Sequence, residues 1–168
     1  LKNWLLTVRL DDGWFSFRQN LRRCPIRDSV WDDESRQLFV RLLASGPALM
    51  RVWEELDFVD IPGRWMPEWL GIRNRPSASA AHRYTIDRHS VEVTSRLARV
   101  SAARGERYDD RHYTALLLAG LLHDVGKRPF VTDHAAEGAR HAAVIMKRMG
   151  FDADIARWVR ILVREHLT

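Results

Sequence analysis

The run with the most chemistry in it is Gly120-Leu121-Leu122-His123-Asp124-Val125-Gly126-Lys127-Arg128-Pro129-Phe130. An apolar segment, Ala115 to Leu122, leads straight into an imidazole and a carboxylate; Gly126 then breaks the helical pattern and Lys127 follows. Such a pair is costly to bury at the end of a hydrophobic helix unless it has partners. A divalent cation is one partner that meets both, since neutral imidazole and ionised carboxylate are good ligands for it. Lys127 could meet a phosphate as a point charge. A plainer explanation also exists: His123 and Asp124 as a hydrogen-bonded helix end, with Lys127 as a solvated cap. The rest of the chain has to decide between them.

Four helices would have to position these groups and any others like them. The first is expected from about Thr85 to Ala103, with an apolar stripe of Ile86, Val93, Leu97 and Val100. His89 falls on that stripe in steps of 3, 4, 4 and 3, which points it inward. The second, Tyr113 to Asp124, ends with His123. Thr132 or Asp133 caps the third, which runs to Met149 with His134 in its first turn, and Gly150 stops it. The last starts near Asp152, and its stripe of Ile155, Val159 and Leu162 is continued by His166 in steps of 4, 3 and 4. Inward histidines on three helices, with Asp124 and the helix-start His134, make the pattern of a metal centre inside a helical bundle. His112 and His141 are expected on the surface. His82 precedes the first of these helices, where it can face the cleft.

Upstream, Leu5 to Leu10, a turn at Asp11-Asp12-Gly13 and Trp14 to Arg18 read as a β-hairpin. A helix from Asp32 or Asp33 to about Ala44 should bury Leu38, Val40, Leu42 and Leu43. A second, opened by Pro47, carries Leu49, Val52, Trp53 and Leu56 and is broken by Ile61-Pro62-Gly63. Trp65, Pro67 and Trp69 should form a compact aromatic loop. Arg73 to Ala81 has no periodicity and reads as a flexible connector.

With 168 residues the chain can bury a sizeable core, and seven tryptophans suit a globular rather than a disordered protein. A single cysteine, Cys24, excludes a disulfide framework and a cysteine metal cluster, and fits a reducing cytoplasm. The longest apolar run is too short to cross a membrane. The net charge of +5, nearly all of its basic part arginine, favours an anionic partner such as a nucleotide. No basic-aromatic groove motif points to a specific nucleic acid. A first residue other than Met and a helical pattern running to Thr168 read as a segment of something longer.

The set His89, His123-Asp124-Val125-Gly126-Lys127, His134 and His166 resembles the HD-domain phosphohydrolase superfamily in its two-metal versions. Within it, the set is more similar to the HD domains of bacterial PII-protein uridylyltransferase/uridylyl-removing enzymes. That family's His-x-Tyr-Thr-Val-Asp-x-His motif is matched by His82-Arg83-Tyr84-Thr85-Ile86-Asp87-Arg88-His89. Asp133-His134-x-x-x-Gly138-Ala139, Arg164-Glu165-His166-Leu167 and the upstream Trp65-Met66-Pro67-Glu68-Trp69 match it as well. The chain departs from it at Arg75-Pro76-Ser77-Ala78-Ser79-Ala80, where the family often carries Gln and His.

The resemblance implies a mainly α fold, an HD-domain helical bundle with a short N-terminal β-hairpin and a helical linker. Residues 1–30 would be the hairpin and linker from an upstream nucleotidyltransferase domain, 31–81 a helical linker region, and 82–168 the HD domain, whose final Asp ligand falls beyond Thr168. It implies one or two divalent ions (Mn, Mg, Fe or Zn) held by His89, His123, Asp124, His134 and His166. Asp124 and Lys127 would be catalytic, and Lys127 and His82 would bind substrate. The implied reaction is removal of a nucleotidyl group, UMP or AMP, from a tyrosine of a PII nitrogen-signalling protein in the cytoplasm. Two alternatives stay open: another HD phosphodiesterase or phosphatase acting on RNA ends or small nucleotides, and a non-catalytic regulatory or docking module. A guanosine-tetraphosphate hydrolase is disfavoured, because those resemble His-Asp-x-x-Glu-Asp where this chain has Val125-Gly126-Lys127.

Overall fold

The computed structural model describes residues 31–77, 84–105 and 110–168. The hairpin expected over residues 5–18 lies outside them. Among the described residues the chain is helical, and its only β pairing is one antiparallel bridge between Pro76 and Thr85. The helices are α1 (Asp33–Leu43), α2 (Ala48–Phe58), α3 (Ile61–Trp65), a 3-10 turn (Pro67–Gly71), α4 (Ile86–Ala103), α5 (Arg111–Leu122), α6 (His134–Met149) and α7 (Ala153–Arg164). None of them is long and apolar enough to cross a membrane.

Asp32 caps α1 by accepting from the Ser35 backbone N–H at 2.8 Å, and the expected face of Leu38, Val40, Leu42 and Leu43 is buried. Ile61-Pro62-Gly63 does more than break the helix before it. Asp60 takes a left-handed backbone (φ 63°), and a new helix starts at Ile61 with proline in its first turn. The expected aromatic loop is therefore α3 plus the 3-10 turn. Trp31, Phe39 and Trp65 meet edge-to-face at centroid distances of 5.4–5.8 Å, and Trp53 meets Trp69 at 5.3 Å.

The start of the expected connector is also anchored. Arg73 Nε and Nη1 donate to Asp57 Oδ2 and Asp60 Oδ1 at 3.1 and 3.0 Å, and Arg73 Nη2 donates to the Asp57 carbonyl at 2.7 Å. Asn74 N–H donates to Asp87 Oδ2 at 2.8 Å, and Ile86 N–H to the Arg75 carbonyl at 2.8 Å. These contacts set where α4 begins, and so where His89 stands.

The core of the bundle is α5, whose residues from Tyr113 to Leu122 are nearly all buried between α4 and α7, with α6 packed on α7. A helix apolar all round is a helix surrounded by others. The packing of α4 departs from expectation. It buries Ile86, Ser90, Val91, Thr94, Ala98 and Ser101, whereas Val93 and Leu97 are half-buried and Val100 is 47% exposed. Small side chains let the helix axes approach closely. Ser90 and Thr94 hydroxyls donate to the carbonyls one turn back, so burying them leaves no orphan donor. The same closeness explains Gly120 on α5, where a Cβ would stand 2.6 Å from Leu97 Cδ1. His89 therefore sits on the flank of the contact, half-buried. On α7 the buried stripe is Ile155, Val159 and Val163, while Leu162 is 41% exposed.

Candidate metal centre

The side chains expected to ligate metal converge at one end of the bundle. One nitrogen each from His89 and His123 and one oxygen from Asp124 lie within 4.8 Å of one another, and the same holds for Asp124, His134 and His166. Asp124 belongs to both groups and is 1% exposed; the four histidines are half-buried. His82 lies outside the described residues.

Local structure aims each ring. His123 is the residue after α5, and its Nδ1–H donates to the Gly120 carbonyl at 2.8 Å. A carbonyl can only accept, so the proton is on Nδ1 and Nε2 is turned inward, 3.3 Å from Asp124 Oδ2. His166 repeats the arrangement at the end of α7. Its Nδ1–H donates to the Val163 carbonyl at 2.7 Å, leaving Nε2 3.5 Å from Asp124 Oδ1. Both of those atoms are buried and neither has a hydrogen-bond partner; His134 Nε2 is in the same state. Two acceptors facing each other in a dry site cost free energy. A cation between them would satisfy both, so this donor set fits a divalent metal. Nitrogen and carboxylate ligands without thiolate suit Mn, Fe, Mg or Zn.

Lys127 Nζ donates to Asp124 Oδ2 at 2.8 Å. Burial alone would push the Asp124 carboxyl up; with no metal bound, a proton on His123 Nε2 and the Lys127 ammonium outweigh it and hold the group well below the usual carboxylate range. Burial, then the Lys127 charge, push the His134 pKa down, which favours the neutral ring that a metal needs. The two ends of this half of the site are tied together by Arg164 Nη1, which donates to both Asp133 oxygens at 2.8 and 3.0 Å. Asp133 also caps α6 through the Ala136 N–H. That ion pair is exposed, so its contribution is to position His134 and His166 rather than to add stability.

Sequence reasoning missed the cluster next to this site. His141, expected on the surface, is half-buried, with Nε2 2.9 Å from Glu137 Oε1. It lies near Glu68, Arg128 and Arg140. Glu68 takes Arg148 in a two-pronged pair at 2.7 Å, and its carbonyl accepts from Arg128 Nη2 at 2.6 Å. The available signal was Arg128 itself, directly after Lys127. Burial and the Arg128 charge push the His141 pKa down, with Arg140 adding and Glu68 opposing. Below about pH 6.5 the folded protein then binds fewer protons than the unfolded chain, so stability falls as pH falls. His134 carries the same sign. In urea unfolding from about pH 7.5 to about pH 5.5, His141→Gln should lose less stability than the parent. Equal losses would show that this ring is not a source of the slope.

A family model described as "HD domain" matches residues 86–168. The chain is 38% identical over 137 residues to a bifunctional uridylyltransferase/uridylyl-removing enzyme of Streptomyces coelicolor, covering 82% of this chain and 16% of that one. It is 36% identical over 143 residues to the Mycobacterium tuberculosis enzyme of the same name, covering 85% and 17%, and 31% identical over 148 residues to that of Corynebacterium glutamicum, covering 87% and 20%. The chain thus spans a fifth or less of the length of these relatives. No solved structure matches it. The matched segment takes in all four helices, α4 to α7, that gather the histidines around Asp124, and the chain belongs to the HD-domain family.

Proposed function

We propose that this domain hydrolyses a phosphodiester, removing a uridylyl or other nucleotidyl group from a tyrosine of a PII signalling protein. It would do so as part of a longer cytoplasmic chain that also transfers nucleotides. One observation carries the reading: a buried carboxylate shared by two groups of histidines, with unpartnered acceptor atoms facing one another. The names of the relatives supply the uridylyl group, and the family resemblance of the motifs supplies the PII tyrosine.

In this reading His89, His123 and Asp124 hold one divalent ion, and Asp124, His134 and His166 a second. Divalent ions bound there supply Lewis acidity toward phosphoryl oxygens and lower the pKa of water. The chain's own groups do the rest. The Gly120 and Val163 carbonyls fix the tautomers of His123 and His166, so each presents Nε2 inward. Lys127 holds its ammonium at the carboxylate edge, where charge builds on the transferred phosphoryl group, and stabilises it there. The buried α5 end keeps the site low in water, which strengthens both effects. Lys127 approaches the phosphate as a single point charge, so it sets position without fixing orientation.

The deciding experiment is release of UMP or AMP from nucleotidylated PII by the full-length protein, beside a panel of small nucleotides and RNA 3′ ends, with metal content measured on the same sample. Release from PII with bound metal is the expected result. Turnover of the panel but not of PII would replace the substrate, and metal-free protein with no turnover would make the bundle a docking module.

A further inference from the structure

The loop that joins Lys127 to His134 carries a side chain that the reading above does not use. Phe130 is fully exposed, and its backbone is left-handed at φ 63°, an uncommon state for a bulky residue. The loop is held firmly. Arg128 Nη2 donates to the Glu68 carbonyl at 2.6 Å, Arg128 N–H to the Gly126 carbonyl at 2.8 Å, and Val131 N–H to the Arg128 carbonyl at 3.4 Å. Its two ends meet, because the Gly126 backbone lies against the His134 carbonyl and Gly138. The chain therefore leaves the histidine cluster, turns at Phe130 and comes back to it. Phe130 is three Cα steps from Lys127, a reach of about 10 Å at most. A phosphate at Lys127 would thus leave the rest of a mononucleotide within range of the ring.

The surroundings of the ring favour one kind of occupant. Of its chain neighbours, Thr132 and Asp133 are exposed and polar, Pro129 is exposed and Val131 is half-buried. A lone aromatic ring with accessible faces near a phosphate-binding lysine suits a nucleobase, which stacks on such faces whatever its identity.

We propose that Phe130 is the platform on which the base of the nucleotidyl group stacks while its phosphate lies at Lys127 and the histidine cluster. This rests on the nucleotidyl-hydrolase reading. The test is equilibrium binding of UMP and of ribose 5-phosphate to the manganese-loaded full-length protein, by calorimetry, for the parent, Phe130→Ala and Phe130→Trp. The parent should bind UMP tighter than ribose 5-phosphate by roughly tenfold or more. Phe130→Ala should erase that difference and leave ribose 5-phosphate affinity unchanged, and Phe130→Trp should keep it. Equal affinity of the parent for both probes, or equal weakening of both by Phe130→Ala, overturns the platform and leaves the hydrolase reading standing. Failure of both probes to bind overturns the two together. Slower removal of the group from PII by Phe130→Ala with UMP affinity unchanged makes the ring a protein contact and also overturns the platform.

Discussion

In the full-length protein, His123→Ala is expected to abolish nucleotidyl removal and to leave nucleotidyl transfer largely intact. The ring stands beside both His89 and Asp124, with Nε2 3.3 Å from Oδ2 and centroids 5.3 Å from both His89 and His166. Alanine removes an inward nitrogen and the donor to the Gly120 carbonyl. The helix itself should survive, since α5 is held by Leu117, Leu118, Leu121 and Leu122 in the core. The loss in removal rate should exceed a hundredfold, because altering only the supports around a metal ligand already costs roughly ten- to a hundredfold. Elemental analysis should show metal falling in parallel. Equal loss of removal and transfer would mean that the two activities do not reside in separate domains.

Among the described glycines, Gly126 should be the one where alanine does most damage. A Cβ at this position would overlap the His134 carbonyl oxygen and the Gly138 nitrogen and lie 2.9 Å from Gly138 Cα. All three are backbone atoms, so no side chain can swing away. The turn after Asp124 or the first turn of α6 has to move, and His134 moves with it. Overpacking of this kind costs about 3 kcal/mol. Urea unfolding should show that loss even without metal, and metal affinity should drop further in the protein that stays folded. A stable variant with normal metal affinity would show that the turn can shift without disturbing His134.

These two sites were legible in the sequence for different reasons. His123-Asp124 announced itself by chemistry, as polar groups ending an apolar helix. Gly126 read only as a helix breaker; that it is a contact point between two segments depends on tertiary packing. His166 was found by extending the stripe of α7, although the helix ends at Arg164 and the buried residue is Val163 rather than Leu162. Steps of 3 and 4 both continue a helix face, so the pattern tolerated that one-residue error. The stripe of α4 was misread because large apolar residues were taken as its contact face, while the helix packs through Ser90, Thr94 and Ala98. His89 still stands in one group with His123 and Asp124, since it lies between the two faces. The burial of His141 and the Arg73 clamp were not legible, because beside the local Glu137 the first depends on Arg128 and Glu68, and the second depends on Asp57, all brought close only by the fold.

The meeting of the two ends of the 127–133 loop has a consequence for how this protein can diverge. A loop closed at its base isolates the residues at the tip from those at the neck. Lengthening the tip adds only about 0.6 kcal/mol for each doubling of its length, and the strain of a new tip sequence ends at the Gly126 contact with α6. Descendants of this chain can therefore exchange Pro129, Val131 and Thr132 at little structural cost, and replace Phe130 at the cost of the base it holds, while Lys127 and His134 keep their places. Mutational drift should collect at the tip, and changes in what the domain recognises should arise there without loss of the chemistry at the neck.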